Sequence, residues 1–377
     1  MTRIIKIGMD VHSTNYTLCA LEPVIGADNK VFANIKVTPD YKNILMFIEN
    51  LKQRLGSSDD YLIECGYEAG CLGFSLRNKL VSAGIKCTVL APTTMLAPQG
   101  KRIKTDKRDA LMIAQCLAHG GYKAVYIPDE EDDAVKEYIR MRDDHRTALK
   151  KIKQQICAFC LRHGCHFEKS KWTNGHLAWL NQLELSSAYR EILDEYLLSY
   201  HVLTDKIMRF EQRIAEFADC GKYRQKVQRL CCFLGVKTHT ALSLITETGD
   251  FERFAKGNKY AAYLGLLPSE ASSAVKISRG GISKAGNLHL RCILTEAAQS
   301  ICRGKVGYKS KELRSRQHGN AAEVIAYADK ANYRLRKKYY KMIFKQKKHN
   351  VAVTAIAREL ACFVWGMMTN NIDFKTA

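Results

Sequence analysis

A β-branched apolar run that carries one carboxylate sets the first constraint: residues 4–23 read IIKIGMDVHSTNYTLCALEP. Two apolar stretches flank the polar turn HSTN, the pattern of a strand, a tight connection and a second strand. Asp10 falls inside the first of these strands, and a buried anion is costly unless it is paired or bound to metal. Asp10 therefore needs a partner from elsewhere in the chain. The same periodicity predicts strands over 3–11, 16–22 and 31–37. A helix follows, opening in TPDYKNILMFIENLKQRLG and stopping at Gly56, then strand DYLIECGY, helix LGFSLRNKLVSAG and strand IKCTVLAP. Three strands followed by α-β-α-β is the element order of an α/β RNase H-like domain, here spanning 1–128.

Beyond residue 128 the pattern turns helical. DEEDDAVKEYIRMRDDHRTALKKIKQQICAFCLRHG begins acidic and ends basic, which suits the helix dipole. Leu193, Tyr196, Tyr200, Leu203, Ile207, Phe210, Ile214 and Phe217 then alternate three- and four-residue steps, a heptad seam. That coiled-coil segment, 129–225, reads either as a dimer contact or as an intramolecular hairpin, and the dimer is the favoured expectation. From 226 to 377 the chain reads as a mostly α-helical domain. LCCFLGVKTHTALSLITETGDFERF places two helical pieces around Gly235. It is either a helix-hairpin-helix-like element offering backbone amides to phosphate or two core helices and a loop. In CAFCLRHGCHF, residues Cys157, Cys160, His163, Cys165 and His166 match zinc by type. The first pair lies in an amphipathic helix and no second C-x-x-C follows at finger spacing, which argues against zinc.

The charge narrows the partners. Lysine and arginine exceed acidic residues by 21 in 377 residues, an excess that attracts polyanions: nucleic acid or an anionic membrane surface. No run of eighteen uncharged apolar residues exists, and VAVTAIARELACFVWGMM carries Arg358 and Glu359 and reads as an amphipathic helix. The beginning, MTRIIKIGMD, lacks a signal peptide's cleavage region, and fourteen cysteines scattered through apolar segments fit reduced thiols. The expectation is a cytoplasmic, nucleoid-associated protein that binds nucleic acid, not membrane. YRLRKKYYKMIFKQKKH sets Arg336, Lys337 and Lys338 among Tyr333, Tyr339, Tyr340 and Phe344. Its cations suit phosphates, and its aromatics are expected mostly in the core.

GKRIKTDKRDALMIAQCLAHGG places Asp106 and Asp109 at a helix start, three residues apart and so on one face. Carboxylates about 4 Å apart repel by roughly 4 kcal/mol at an effective dielectric of about 20, so a cation must lie near. The flanking Lys101, Arg102, Lys104, Lys107 and Arg108 are one source. The other is Mg²⁺, which favours a few carboxylates, retained water and phosphate oxygens, and two such ions would serve phosphodiester cleavage. Asp10 and a strand-end glutamate would complete the set. LIECGYEAG offers both Glu64 and Glu68, and residue chemistry alone does not separate them.

IGMDVHSTNY, GYEAGCLG, CTVLAPTTM with KTDKRDA, and AAYLGLLPSEASSAVKISRGGISKAGNLHLR together resemble the DEDD-type insertion-sequence transposases. Those are the bridge-RNA-guided recombinases related to Piv-type DNA invertases. ARELACFVWGMM is similar to that family's last helix. The resemblance implies a RuvC-like first domain whose Asp10, Glu68, Asp106 and Asp109 bind Mg²⁺, and it selects Glu68 over Glu64. It implies a C-terminal serine nucleophile within Ser272-Ser273-Ala274, with Ser273 in the matching place where the family more often has Ser-Ser-Gly. Lys276, Arg279, Lys284 and Arg291 of the basic loop would then hold DNA phosphates. It further implies a homodimer assembling to a tetramer, with the serine domain of one subunit completing another's carboxylate site, and a structured guide RNA pairing with donor and target DNA. A site-specific invertase would share all these residues. A RuvC-like junction nuclease would need only the carboxylates, and a nucleic-acid scaffold would carry a degenerate site.

Overall fold

The computed structural model describes residues 3–24, 26–56, 61–70, 72–95, 105–270 and 279–372. They form two compact units, 1–127 and 128–377. In the first, β1 (Arg3–Val11), β2 (Tyr16–Glu22) and β3 (Lys30–Val37) precede α1 (Tyr41–Leu55), β4 (Tyr61–Glu68), α2 (Ser75–Ser82), β5 (Lys86–Leu90) and α3 (Asp106–His119). The sheet order is β3-β2-β1-β4-β5. β1 is central, antiparallel to β2 and parallel to β4, because a short turn can reverse the chain whereas a parallel return needs the crossover through α1.

One sheet face carries Ile5, Ile7, Met9, Ile63, Cys65 and Tyr67, buried against Ile44, Phe47 and Ile48 of α1 and Leu76 and Leu80 of α2. Full burial of such side chains contributes about 2 kcal/mol each. Asp40 caps α1 by accepting the Lys42 amide at 3.0 Å, and Gly56 at φ 91° ends it, as the sequence predicts.

The opposite face is shaped by missing side chains. Gly8 and Gly66 sit side by side on β1 and β4, two residues before Asp10 and Glu68. A Cβ on Gly8 would lie 2.2 Å from both the Ala110 carbonyl oxygen and the Ala114 amide nitrogen. A Cβ on Gly66 would meet Leu117 and Leu90 at 2.9 Å. So α3 lies flat on the sheet. Its first turn reaches β3, where Asn34 donates to the Lys107 carbonyl at 3.0 Å, and its last turns cross β4. Thr105 caps the helix and Gly120, at φ 69°, closes it.

The second unit begins with two 33-residue helices, α4 (Glu130–Arg162) and α6 (Ser187–Asp219), with α5 (Asn174–Asn181) between them. At 1.5 Å per residue each long helix runs about 50 Å. The heptad seam of α6 finds a partner in α4 of its own chain. Phe210 packs on Tyr138 and His145 with ring centroids 5.6 and 5.0 Å apart, Phe217 packs on Tyr138 at 5.4 Å, and Arg142 pairs with Glu211. The intramolecular hairpin is thus realised, because the seam's aromatics match apolar positions already present on α4.

The remaining elements are α7 (Arg224–Leu230), α8 (Thr238–Thr248), α9 (Gly257–Tyr263), the short ribbon β6 (Pro268–Glu270) and β7 (Arg279–Ile282), α10 (Leu288–Ile301), α11 (Lys311–Gln317), α12 (Ala322–Phe344) and α13 (His349–Met368). The turn between α7 and α8 belongs to the core. Phe233 and Val236 are fully buried, Asn332 accepts the Leu234 amide at 2.9 Å, and Gly235 lies too close to the Ala297 carbonyl for any side chain. The Phe233, Leu234 and Val236 amides are taken up within the protein, as two core helices and a loop would have it. α13 is long and apolar enough to cross a membrane by length and composition alone. Here it is a central core helix with Val353, Ile356, Leu360, Val364 and Met367 buried, more enclosed than an amphipathic helix.

Gly8→Ala should cost about 3 kcal/mol, because the intruding carbon meets rigid backbone. That lowers the melting temperature of the first unit by roughly 10 °C in calorimetry. Gly221→Ala, where an added Cβ meets nothing within 4 Å, should stay within about 0.5 kcal/mol of the parent.

Candidate active site

Strand register builds the site. The last paired residues of β1 and β4 are Met9 and Tyr67, so Asp10 and Glu68 follow together at the ends of two neighbouring parallel strands. Side chains alternate along a strand, which puts both on the face of Gly8 and Gly66, beneath α3. Asp10 pairs with Thr17 of β2, and Thr17 with Lys36 of β3. Glu68, Asp10, Thr17 and Lys36 thus form one polar row across four strands, and α3 brings Asp106 and Asp109 over it.

The ligand atoms of Asp10, His12 and Asp106 lie within 4.8 Å of one another. His12 Nε2 is 3.3 Å from Asp10 Oδ2, and Lys36 Nζ is 3.2 Å from Asp106 Oδ2. Burial raises the Asp10 carboxyl above the ordinary range, and Asp109 and Asp106 push it further while His12 opposes them. The Lys36 ammonium holds Asp106 below that range. Thr17 is buried, and its Oγ1 has no hydrogen-bond partner among the described residues. Clustered hard oxygens, a carboxyl made costly by its neighbours and an orphaned hydroxyl fit a divalent cation such as Mg²⁺.

Among the expected ligands, Asp10 and Asp106 come together directly. Asp109 acts on Asp10 electrostatically, and Glu68 stands exposed on the adjacent strand end. Glu64 lies four residues upstream, about 13 Å along the strand, where Lys6 and Lys86 both pair with it. Its charge is already countered. His12 and Lys36 were not singled out from the sequence. For His12 a signal was present, since the D-V-H spacing returns its side chain to the face of Asp10.

The expected nucleic-acid contacts divide. Lys107 and Arg108 are exposed on the first turn of α3, and Lys284 is exposed at φ 56° in the loop before α10. Arg291 requires correction: it is buried and donates to the Leu264 and Ala285 carbonyls at 3.0 and 3.2 Å, pinning that loop. Arg336 is likewise buried, donating to the carbonyls of Ile301, Arg303, Lys305 and Tyr308 at 2.7–2.9 Å. Both guanidiniums hold helix ends and loops because unpaired buried carbonyls need donors. Lys338 pairs with Glu359, and Lys337 lies over the Tyr333 ring. The aromatics of this helix also differ from expectation. Tyr339 packs on the core, but Tyr333, Tyr340 and Phe344 are 50, 41 and 89% exposed. Arg279 opens β7, whereas Lys101, Arg102, Lys104, Ser272, Ser273 and Lys276 lie outside the described residues.

A carboxyl whose folded pKa is raised lowers stability once pH exceeds its unfolded value, since ionisation is harder in the fold. Asp10→Asn should therefore raise the metal-free melting temperature near neutral pH by about 2 °C, and the gain should vanish below the unfolded aspartate pKa.

Comparison with known proteins identifies the family. An IS110-type DEDD transposase family model matches residues 7–163, and a model described as the transposase IS116/IS110/IS902 family matches 227–313. The Sinorhizobium fredii protein y4qE is 33% identical over 302 residues, covering 80% of this chain and 74% of that protein. The transposase for insertion sequence element IS1533 of Leptospira borgpetersenii is 31% identical over 354 residues, 92% of this chain and 99% of the relative. The transposase for IS1111A of Coxiella burnetii is 22% identical over 295 residues, 75% of this chain and 73% of that one. Ordered family matches at both ends of the chain, and a relative aligned over nearly its whole length, place this chain in the IS110 family of DEDD transposases.

Proposed function

We propose that the chain cuts and rejoins DNA for an insertion sequence, with an RNase H-like first unit whose Asp10, Glu68, Asp106 and Asp109 hold Mg²⁺ and with Ser273 as the nucleophile. The observation that carries this is the convergence of Asp10 and Asp106, far apart in sequence, beneath α3. Bound at these carboxylates, Mg²⁺ would supply Lewis-acid stabilisation of charge at a scissile phosphate. The protein's own contributions are distinct. α3 holds Asp106 and Asp109 against the end of β1, Lys36 offsets part of the carboxylate charge, and His12 lies against Asp10. Lys107 and Arg108 on the rim attract the backbone of the substrate. The hydroxyl of Ser273 attacks phosphorus and gives up its proton, the bond from phosphorus to a strand oxygen breaks, and that strand leaves with a free hydroxyl. Attack by a second strand's hydroxyl reverses the step and rejoins DNA.

The reading includes a homodimer assembling to a tetramer, with the serine loop of one subunit serving the carboxylates of another. It also includes a structured RNA encoded beside the gene, whose base pairing selects the DNA while protein contacts read the backbone. The excess of 21 cations supports the nucleic-acid part of this reading.

Asp10→Asn and Asp106→Asn should each reduce Mg²⁺-dependent strand cleavage at least about a hundredfold. Ser273→Ala should abolish strand exchange and any covalent protein–DNA product while leaving Mg²⁺ binding intact, as read by calorimetric titration. Cleavage that survives Ser273→Ala would establish the junction-nuclease reading. Sequencing of nucleic acid co-purified from the native host should recover one discrete RNA from the element's noncoding flank, and its absence would remove the guided part of the claim.

A further inference from the structure

The second unit contains a polar groove of about 640 Å³ between α4, α8 and α10 that the carboxylate chemistry does not use. Its floor is Asp143, contacted by three cationic or protonatable groups: Arg142 donates at 2.8 Å, His239 Nε2 lies at 3.1 Å and His289 Nε2 at 3.7 Å. Burial alone would raise the Asp143 carboxyl, but His239 and Arg142 override it and bring it down to about 2. The floor is thus an anion already countered by its own neighbours. One wall is a row on α4, with Arg146, Lys150 and Lys153 at successive four- and three-residue steps and hence on one face. Lys153 is held over the Trp172 and Tyr200 rings at 5.2 and 5.5 Å. Arg146 and Lys150 are exposed, and among the described residues no carboxylate pairs with either. The opposing rim carries one acidic group, exposed Glu296 of α10.

A groove whose floor is neutralised, and whose wall keeps uncompensated cations about 6 Å apart, is complementary to a chain of regularly spaced monoanions. We infer that this groove seats a nucleic-acid sugar–phosphate backbone, with Arg146 and Lys150 each engaging a phosphate and the Asp143–His239–His289 floor fixing its depth. The inference deepens the proposed function and rests on it for the class of ligand, but the site is separate from the carboxylates and needs no metal. DNA and RNA backbones share the phosphodiester, so the test must distinguish them.

The test uses the full chain in excess EDTA with labelled duplex DNA, duplex RNA and single-stranded DNA, affinity being followed against salt. Arg146→Gln with Lys150→Gln should weaken binding about tenfold at 0.1 M salt and reduce the duplex salt slope by about 1.8, two phosphate contacts' worth. Glu296→Gln should move affinity the other way, about threefold tighter. The probe most affected by the double variant names the occupant. Both substituted cations are exposed, so an unchanged melting temperature is expected of the double variant. Wild-type affinity and slope on all three probes, or weakening by Glu296→Gln, would overturn the assignment. Because strand cleavage is not the readout, loss of the metal-dependent reading would leave this result standing, and the reverse holds equally.

Discussion

The close approach of α3 to the sheet is the constraint on which the first unit's chemistry depends. Helix and strand can lie this near only because Gly8 and Gly66 present no Cβ where Ala110, Ala114 and Leu117 pass over them. The same two positions set the register of function. Two residues further along each strand come Asp10 and Glu68, and one turn earlier on the helix come Asp109 and Asp106. A helix lifted by one methyl would carry its carboxylates away from Asp10, so helix packing and the gathering of these carboxylates share a single geometric condition.

That approach gathers negative charge at considerable cost, and the structure shows how the cost is offset. Lys36 reaches from β3 to Asp106, and His12 turns back onto Asp10. Neither Lys36 nor His12 neutralises the cluster fully, as the raised Asp10 carboxyl shows. Incomplete compensation is what a site that takes up a divalent ion requires, since fully paired carboxylates, like Glu64 between Lys6 and Lys86, have nothing left to gain from one.

Much of this was readable in the residues. The strand–strand–strand–helix order, the helix start within TPDYK, the stop at Gly56 and the one-face placement of Asp106 and Asp109 follow from periodicity and local hydrogen bonding. What escaped was set by contacts distant in sequence. Lys36 becomes part of the site only through antiparallel register across two strands. Arg291 and Arg336 look like surface cations in a basic stretch, but the carbonyls they hold belong to loops and helix ends up to 35 residues away. The α6 seam carried its own ambiguity, because a heptad pattern specifies an apolar stripe and not which chain supplies the partner.

The distribution of cations matters more than their excess. Arg142, Arg291 and Arg336 are buried and occupied by carboxylates or carbonyls, so they contribute to net charge without offering anything to a ligand. Arg146, Lys150, Lys107 and Lys337 are among the exposed cations, and it is exposed cations that shape the field a polyanion meets. The two units then complement one another chemically. One gathers carboxylates that call for a cation, and the other lines a groove with cations that call for an anion. A phosphodiester chain carries the regularly spaced negative charge that such cations attract, and a small neutral molecule does not.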